Sequence, residues 1–304
     1  MKLSKIAIIT LATLLFTPVP AHAIKDGVSA KDHPRIVALY FKGQSDWNTP
    51  LQTCTGFLYS PRIVLTAAHC VHNGMKRPNK VPLKPSMMWI GAPGALTGTT
   101  AKRFNVEKIF SQKGFELNNN RVYSYKNDFA VMVLESPLSP VKEAKLATKE
   151  EIETYIAEGR MVTTGGYGGT SATDLNQGDP SRKAYPMKAS FKLIPFDTGM
   201  QSVQERMRMW NRNYYQSDAV SFMRYEEGTA HPCNGDSGSG YFMESNGVFT
   251  YLGITWSAVH PLCEKGDPAN MAKFKPSSGY VVAFRGIYLD LPLVKKAKDY
   301  LKAN

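Results

Sequence analysis

Short apolar runs bounded by turn residues recur along the chain. Three of them, 36–41, 130–134 and 280–284, contain β-branched or aromatic residues and lie between glycine, proline or polar clusters. Runs of this length and composition are typical of buried strands. The stretch 56–65 has the pattern of two short strands around a Ser-Pro turn. The sequence therefore predicts a protein built mainly of β-strands.

Helical spacing is confined to a few segments. Near the C-terminus, Asp290 and Pro292 precede apolar residues spaced three or four apart, which predicts an amphipathic helix capped by Asp290. A short helical segment is predicted to start at Thr148. The basic segment 197–225 predicts an amphipathic helix with its charged face in solvent, and the alternative is an exosite for an acidic partner.

The first 23 residues have the pattern of a signal peptide. Lys2 and Lys5 precede the apolar run 6–16, and a small-x-small cleavage site ends at Ala23. A membrane anchor is disfavoured, because this run is too short for a hydrocarbon core of about 30 Å. The sequence thus predicts export to an oxidising compartment, periplasmic or extracellular, with no membrane attachment once the leader is removed.

The composition permits a large core and does not point to nucleic acid. Hydrophobic residues make up 43% of the 304 residues. The formal net charge of +12 falls to +10 when the two leader lysines are removed. A basic charge can favour acidic partners, but solubility is its ordinary explanation. The chain has no nucleic-acid-binding motif and no metal-ligand spacing, so neither ligand is predicted.

Three separated residues could together form a nucleophilic catalytic site. His69 lies in Thr-Ala-Ala-His-Cys, Asp128 in Asn-Asp-Phe-Ala-Val, and Ser237 in Gly-Asp-Ser-Gly-Ser-Gly. A serine hydroxyl is a weak nucleophile, so it needs an imidazole to accept its proton and a buried carboxylate to orient that imidazole. The glycines fit a turn in which the amides of Gly235 and Ser237 converge on a developing oxyanion. Singly, each of the three side chains also has an ordinary structural explanation.

Taken together, these segments resemble the trypsin and chymotrypsin family of serine endopeptidases. The resemblance extends over nearly all of the chain after the leader. The turn 165–168 is similar to the Gly-aromatic-Gly turn that opens the family's second barrel, and Thr255-Trp256 to the strand that holds an extended substrate. The resemblance implies an all-β fold of two six-stranded antiparallel β-barrels with a C-terminal α-helix. We expect one peptidase domain, 24–304, with the first barrel in 24–150 and the second in 151–304.

The four cysteines form an even set that suits two disulfides. The sequence alone permits three pairings. The resemblance selects Cys54 with Cys70 and Cys233 with Cys263.

The resemblance also implies an activation pair. In the family, a newly exposed N-terminal ammonium is buried against the aspartate that precedes the nucleophile. Signal cleavage would expose Ile24, and Asp236 would be its partner. Ile36 also follows an arginine, but it begins a predicted core strand. We therefore expect export itself to activate the enzyme, although trimming by another protease is an alternative.

The substrate pocket implied by the resemblance contains six residues: His231, Pro232, Asn234, Thr255, Trp256 and Ser257. His231 stands six residues before Ser237, where trypsins have the aspartate that binds Arg or Lys. An imidazole cannot favour a cationic side chain, so cleavage after Arg or Lys is not expected. Two alternatives remain: an apolar P1 residue, or an acidic one bound by protonated His231. His231 could also turn away into the core.

These features predict a monomeric serine endopeptidase that hydrolyses protein or peptide substrates through an acyl-enzyme, without a cofactor. The main alternative is a secreted binding protein that keeps the fold without catalysis. An esterase on a different fold would show a Gly-x-Ser-x-Gly elbow and the order Ser, Asp, His. The order here is His, Asp, Ser, which contradicts that alternative.

Overall fold

The structure is a computed structural model that describes residues 21–22, 24, 26–42, 50–72, 82–97, 102–118, 122–169, 184–209, 214–225, 229–233, 235–259 and 280–304. Its strands, in chain order, are β1 (Ala21–His22), β2 (Val28–Ser29), β3 (Ile36–Lys42), β4 (Pro50–Ser60), β5 (Ile63–Thr66), β6 (Met88–Gly91), β7 (Arg103–Ser111), β8 (Glu116–Asn118), β9 (Val122–Lys126), β10 (Ala130–Leu134), β11 (Lys145–Leu146), β12 (Met161–Gly166), β13 (Ala184–Tyr185), β14 (Met187–Ile194), β15 (Tyr214–Ser217), β16 (Ser221–Tyr225), β17 (Gly240–Ser245), β18 (Val248–Val259) and β19 (Tyr280–Gly286). The described helices are α1 (Ala68–Val71), α2 (Lys149–Ala157), α3 (Phe196–Met209) and α4 (Leu291–Ala303), with 3₁₀ turns at Pro85–Met87 and Ile287–Leu289.

The first barrel is a closed antiparallel sheet of six strands. Its strand order is β10, β5, β4, β3, β6 and β7, and β7 pairs with β10 to close the ring. All five residues of β10 are buried, as the uninterrupted apolar run predicted. The turn at 61–62 separates β4 from β5, in agreement with the two strands predicted around the Ser-Pro turn.

The second barrel closes in the same way. Its order is β17, β12, β14, β16, β19 and β18, and β18 pairs with both β17 and β19. The short strand β2 also pairs with β14, and β11 pairs with β18. All seven residues of β19 are buried. The prediction of two six-stranded antiparallel barrels is therefore confirmed.

Each end of the chain packs against the barrel that the other half forms. Near the N-terminus, β2 pairs with β14 of the second barrel. At the other end, α4 lies against the first barrel, where the Tyr300 hydroxyl donates to Glu107 Oε1 at 2.8 Å and its ring contacts Phe110. These crossed contacts join the two barrels at positions far apart in sequence.

The predicted helices α2, α3 and α4 form, with two corrections. The helix α3 ends at Met209, and the described remainder of the segment 197–225 contains the strands β15 and β16 instead.

The starts of the other two helices show how each is capped. Thr148 caps α2 by accepting from the amide of Glu151, whose carboxylate accepts from the Thr148 amide in return. The helix α4 begins at Leu291, but the carboxylate of Asp290 does not bond the helix amides. That carboxylate instead binds Arg285. A buried guanidinium has no water to stabilise its charge and requires an anion, whereas the first amides of the helix can bond water.

A small three-stranded sheet outside the two barrels was not predicted. The strands β8 and β9 form a hairpin, and β15 adds to β9 in parallel, with Tyr214 opposite Val122. The pairing joins segments about 90 residues apart, and local sequence patterns carry no signal for such a contact. This small sheet leads directly into the segment that carries Asp128.

The predicted cysteine bridges can be followed in part. Cys54 is bonded to Cys70. Cys233 is also disulfide-bonded, and its expected partner, Cys263, lies outside the described residues. Asn234 and most of the predicted leader, 1–20 and 23, lie outside them as well. In the part of the chain that is described, no helix has the length and apolar character needed to cross a bilayer.

Candidate active site

The register of two neighbouring strands brings His69 and Asp128 together. The strand β5 ends at Thr66, opposite Ala130 at the start of β10. Because the strands are antiparallel, the residues after Thr66 and those before Ala130 leave the barrel at the same edge. His69 follows in α1, and Asp128 lies just before β10.

Both oxygens of the Asp128 carboxylate contact His69. The backbone amide of His69 donates to Oδ1 at 2.8 Å, and ring atom Nδ1 lies 2.7 Å from Oδ2. Asp128 is completely buried, and the His69 side chain is 8% exposed. An ionised carboxylate only accepts hydrogen bonds, so Nδ1 carries the ring proton and Nε2 is the acceptor. This is the tautomer that a general base requires.

The loop that carries Ser237 packs against the segment around His69. The amide of Thr55 donates to the Ser237 carbonyl at 2.9 Å, and Cys70 Sγ lies 3.5 Å from the same oxygen. Cys70 is disulfide-bonded and has no thiol proton, so the second approach is a packing contact. Ser237 Oγ and His69 Nε2 form no hydrogen bond among the described residues. Catalytic bonds of this kind often tighten only in the substrate complex.

Two glycines shape the serine loop. The φ angles are +94° at Gly235 and +83° at Gly238, both in the left-handed region. A Cβ on Gly238 would lie 2.2 Å from Thr66 Oγ1, so a larger residue would push the loop off the first barrel. Within the described ranges, neither the amide of Gly235 nor that of Ser237 donates a hydrogen bond. Both amides are therefore available to an oxyanion.

The residue before Ser237 is fixed from two sides. The buried carboxylate of Asp236 accepts from the amide of Gly168 through Oδ1 and from the amide of Cys233 through Oδ2, each at 2.8 Å. A Cβ on Gly166 would lie 2.1 Å from Oδ1, so glycine is required there. The predicted Gly-rich turn thus closes over Asp236.

A comparison with known proteins identifies the family. The family model described as Trypsin matches residues 24–277, which is most of the chain. This chain belongs to the trypsin family. Its individual relatives are distant: trypsin zeta of Drosophila melanogaster is 27% identical over 147 residues, and complement C2 of Mus musculus is 24% identical over 255 residues.

The chain spans less than half the length of these relatives. The matches cover 48% of Drosophila melanogaster trypsin zeta and 31% of complement C2, against 47% and 75% of this chain. Trypsin zeta of Drosophila erecta is 28% identical over 125 residues, 40% of each chain. Membership of the trypsin family therefore places the chain in a serine protease family with this fold.

The histidine expected at the floor of the substrate pocket is buried. His231 is 1% exposed, and its Nδ1 lies 3.0 Å from the carbonyl of Thr229. A carbonyl only accepts, so Nδ1 carries the proton. The ring stacks on Tyr225, which stacks in turn on Tyr280. Pro232 is also buried.

The strand expected to hold the substrate contains a bulge. Thr255 pairs with Phe284, but Ala258 pairs with Val282, so residues 256 and 257 of β18 face a single residue of β19. Bulges are frequent beside active sites, because they redirect a strand locally. Thr255, a predicted pocket residue on this strand, is buried, with 4% of its surface exposed. Trp256 and Ser257 are described by their backbone only.

The predicted activation residues, Ile24 and Asp236, are both completely buried. In the full chain Ile24 is still joined to Ala23, so its nitrogen is an amide. Its φ is +47°, a left-handed conformation that strains a β-branched residue. The Ile24 carbonyl accepts from the amide of Gly27 at 2.9 Å.

A buried ionic cluster, absent from the sequence predictions, holds the Asp128 segment. Arg285 binds Asp290 through Nε and Nη2, each at 2.8 Å, and binds Asp218 through Nη1. Asp218 Oδ2 accepts from the amide of Asn127 at 2.6 Å. Burial alone would lower the pKa of Arg285, but the two carboxylates outweigh it and raise that pKa. The guanidinium therefore stays charged.

The sequence contained one signal for this cluster. Arg285 is the single charged residue in the apolar run 280–286, and Asp290 follows five residues later. A charge within a buried strand requires a partner, so this pair could have been inferred. Asp218 and Thr55 had no comparable signal, because their contacts lie in distant parts of the chain.

Proposed function

We propose that this protein is a secreted, monomeric serine endopeptidase whose nucleophile is Ser237. The observation that carries the proposal is the buried His69–Asp128 pair, with its acceptor nitrogen Nε2 available, in a chain of the trypsin family. The packing of the Ser237 loop against Cys70, the residue after His69, supports it further. Proteins and peptides are the substrates that the family implies.

In the proposed reaction, His69 Nε2 takes the hydroxyl proton as Ser237 Oγ bonds to the peptide carbonyl carbon. The carbonyl oxygen becomes an oxyanion, which accepts hydrogen bonds from the amides of Gly235 and Ser237. His69 then gives the proton to the departing amine, and an acyl-enzyme forms. A water that His69 deprotonates hydrolyses the ester. Asp128 holds Nδ1 throughout, and no cofactor takes part.

We propose an apolar P1 residue rather than Arg or Lys. His231 offers no anion to a cationic side chain, and its buried ring stacks on an aromatic neighbour. The other assigned pocket residues are Pro232, Asn234, Thr255, Trp256 and Ser257. An acidic P1 residue would require His231 to be protonated in the complex.

A cleavage profile on a mixed peptide library tests this function. The leader-free protein, residues 24–304, is expected to cleave internal peptide bonds after apolar residues. Mass spectrometry of the products identifies the cleavage sites. Cuts after Glu or Asp would show instead that the pocket binds an acidic P1 residue. Cuts after Arg or Lys would contradict the role given to His231, and no cuts by a folded sample would favour a binding protein.

We further propose that removal of the leader after Ala23 activates the enzyme. Asp236 is completely buried, and its carboxylate accepts from the amides of Gly168 and Cys233. A new Ile24 ammonium would add the opposite charge that favours its ionised form. Cleavage would also relax the left-handed backbone at Ile24, since an N-terminal residue has no preceding carbonyl to clash with. The leader pattern and the disulfides agree with export.

One added residue tests the activation step. A chain that carries alanine before Ile24 is expected to lose nearly all activity, because the ammonium would be displaced from Asp236. Conservative replacement of Ile24 by valine, with a free N-terminus, is the matched control and should remain active. Full activity of the extended chain would refute the step.

A further inference from the structure

Thr55 is a completely buried residue of β4 that contacts the Ser237 loop twice. Its amide donates to the Ser237 carbonyl at 2.9 Å, and its hydroxyl donates to the Gly235 carbonyl at 2.9 Å. The two bonds reach both of the residues whose amides we assign to the oxyanion hole. A strand residue of the first barrel therefore holds a loop of the second.

The same hydroxyl also organises the turn that binds Asp236. Thr55 Oγ1 accepts from the amide of Tyr167 at 3.0 Å, and the next amide, that of Gly168, donates to Asp236 Oδ1. A hydroxyl has one proton and two lone pairs, so it can donate to Gly235 and accept from Tyr167 together. Residues 235, 236 and 237 are thus held by Thr55, either directly or through this turn.

The chain around Thr55 is itself anchored next to His69. Cys54 is disulfide-bonded to Cys70, which directly follows His69. The carbonyl of Thr55 accepts from the hydroxyl of Thr66 at 3.0 Å. Thr55 therefore connects the segment that carries the proposed general base to the loop that carries the proposed nucleophile.

We propose that the Thr55 hydroxyl is a positioning group for the oxyanion hole, an inference that rests on the proposed function. Gly235 has no side chain and a left-handed backbone, so hydrogen bonds rather than packing define its conformation. Loss of the hydroxyl removes the partner of two buried groups, the Gly235 carbonyl and the Tyr167 amide. The loop would then relax away from the geometry that binds an oxyanion.

The variant Thr55→Val tests this inference, because valine keeps the shape of the side chain and loses the hydroxyl. We expect kcat for a peptide substrate to fall by up to about 100-fold with little change in KM. Affinity for a peptide aldehyde, whose tetrahedral adduct needs the oxyanion hole, should fall in parallel. A non-covalent peptide amide of the same sequence should bind as before. Thr55→Ser, which restores the hydroxyl, should recover kcat and aldehyde affinity.

Thr164→Val is the matched control. Thr164 is also completely buried, and its hydroxyl donates to the carbonyl of Gly240 at 3.0 Å, outside residues 235–237. This variant should lose stability without the selective loss of kcat and aldehyde affinity. If Thr55→Val does not fold, Thr55→Ala takes its place in the comparison.

Amide hydrogen exchange gives a readout that does not depend on activity. Peptides that cover 167–168 and 235–239 should exchange faster in Thr55→Val than in the wild type and Thr55→Ser. Wild-type kcat together with wild-type exchange in Thr55→Val would overturn the inference and leave the proposed function intact. Faster exchange in Thr55→Val, together with no peptide cleavage by the wild type, would uphold the loop contact and contradict the proposed function.

Discussion

Replacement of Ser237 by alanine is expected to lower kcat for peptide hydrolysis by about a million-fold, because the reaction loses its nucleophile. The residual rate would come from the oxyanion hole and substrate binding. Ser237 is partly exposed and its side chain supports no other described residue, so the variant should fold normally. Initial rates on a peptide identified from the library, with circular dichroism of both proteins, would measure the two effects.

The control for this variant is another serine replacement away from the site. Ser190→Ala removes an exposed hydroxyl that contacts Thr163 on β12, and it should leave kcat unchanged. A Ser237→Ala protein that retained a substantial fraction of the wild-type rate would show that another group attacks the substrate. Equal losses in both variants would point to damage to the fold.

Replacement of Arg285 by methionine is expected to lower the free energy of unfolding by about 3–5 kcal/mol. The guanidinium is 4% exposed, and its loss would leave the buried carboxylate of Asp290 without its cationic partner. The carboxylate of Asp218 would lose the same cation. Urea unfolding at neutral pH, followed by tryptophan fluorescence, measures the change.

An exposed ion pair provides the contrast. Asp299→Asn removes the pair that Asp299 forms with Lys295 one helical turn away, where solvent screens both charges. We expect no measurable change in the unfolding midpoint for this variant. If Arg285→Met were equally stable, the buried cluster would not contribute to the fold, and its role in holding the Asp128 segment would be in doubt.

The barrels could be predicted because their signals are local. The run 130–134 is apolar at every position and becomes β10, and 280–284 becomes the start of β19. The arrangement of the strands in two six-stranded barrels came from the family resemblance, and their order within each barrel was not predicted. The hydrophobic pattern specifies which segments are strands, whereas their pairing depends on contacts between distant parts of the chain.

The side chains that we propose to react could be selected from the sequence, but the residues that support them could not. His69, Asp128 and Ser237 stand in distinctive local sequences, which the chemistry of each group requires. Thr55 looks like an ordinary strand residue, and its importance follows only from the carbonyls that face it. Asp290 has the sequence pattern of a helix cap, yet its carboxylate binds a buried arginine instead. Supports of this kind depend on three-dimensional proximity.

The most direct test of the central claim is the reaction of the leader-free protein with a peptidyl fluorophosphonate, which phosphonylates an activated serine. Mass spectrometry of the digested product locates the adduct. We predict one adduct per chain, on Ser237, formed far more slowly in His69→Ala because the general base is absent. An adduct on another residue, or no adduct on a folded protein with a free Ile24, would contradict the account.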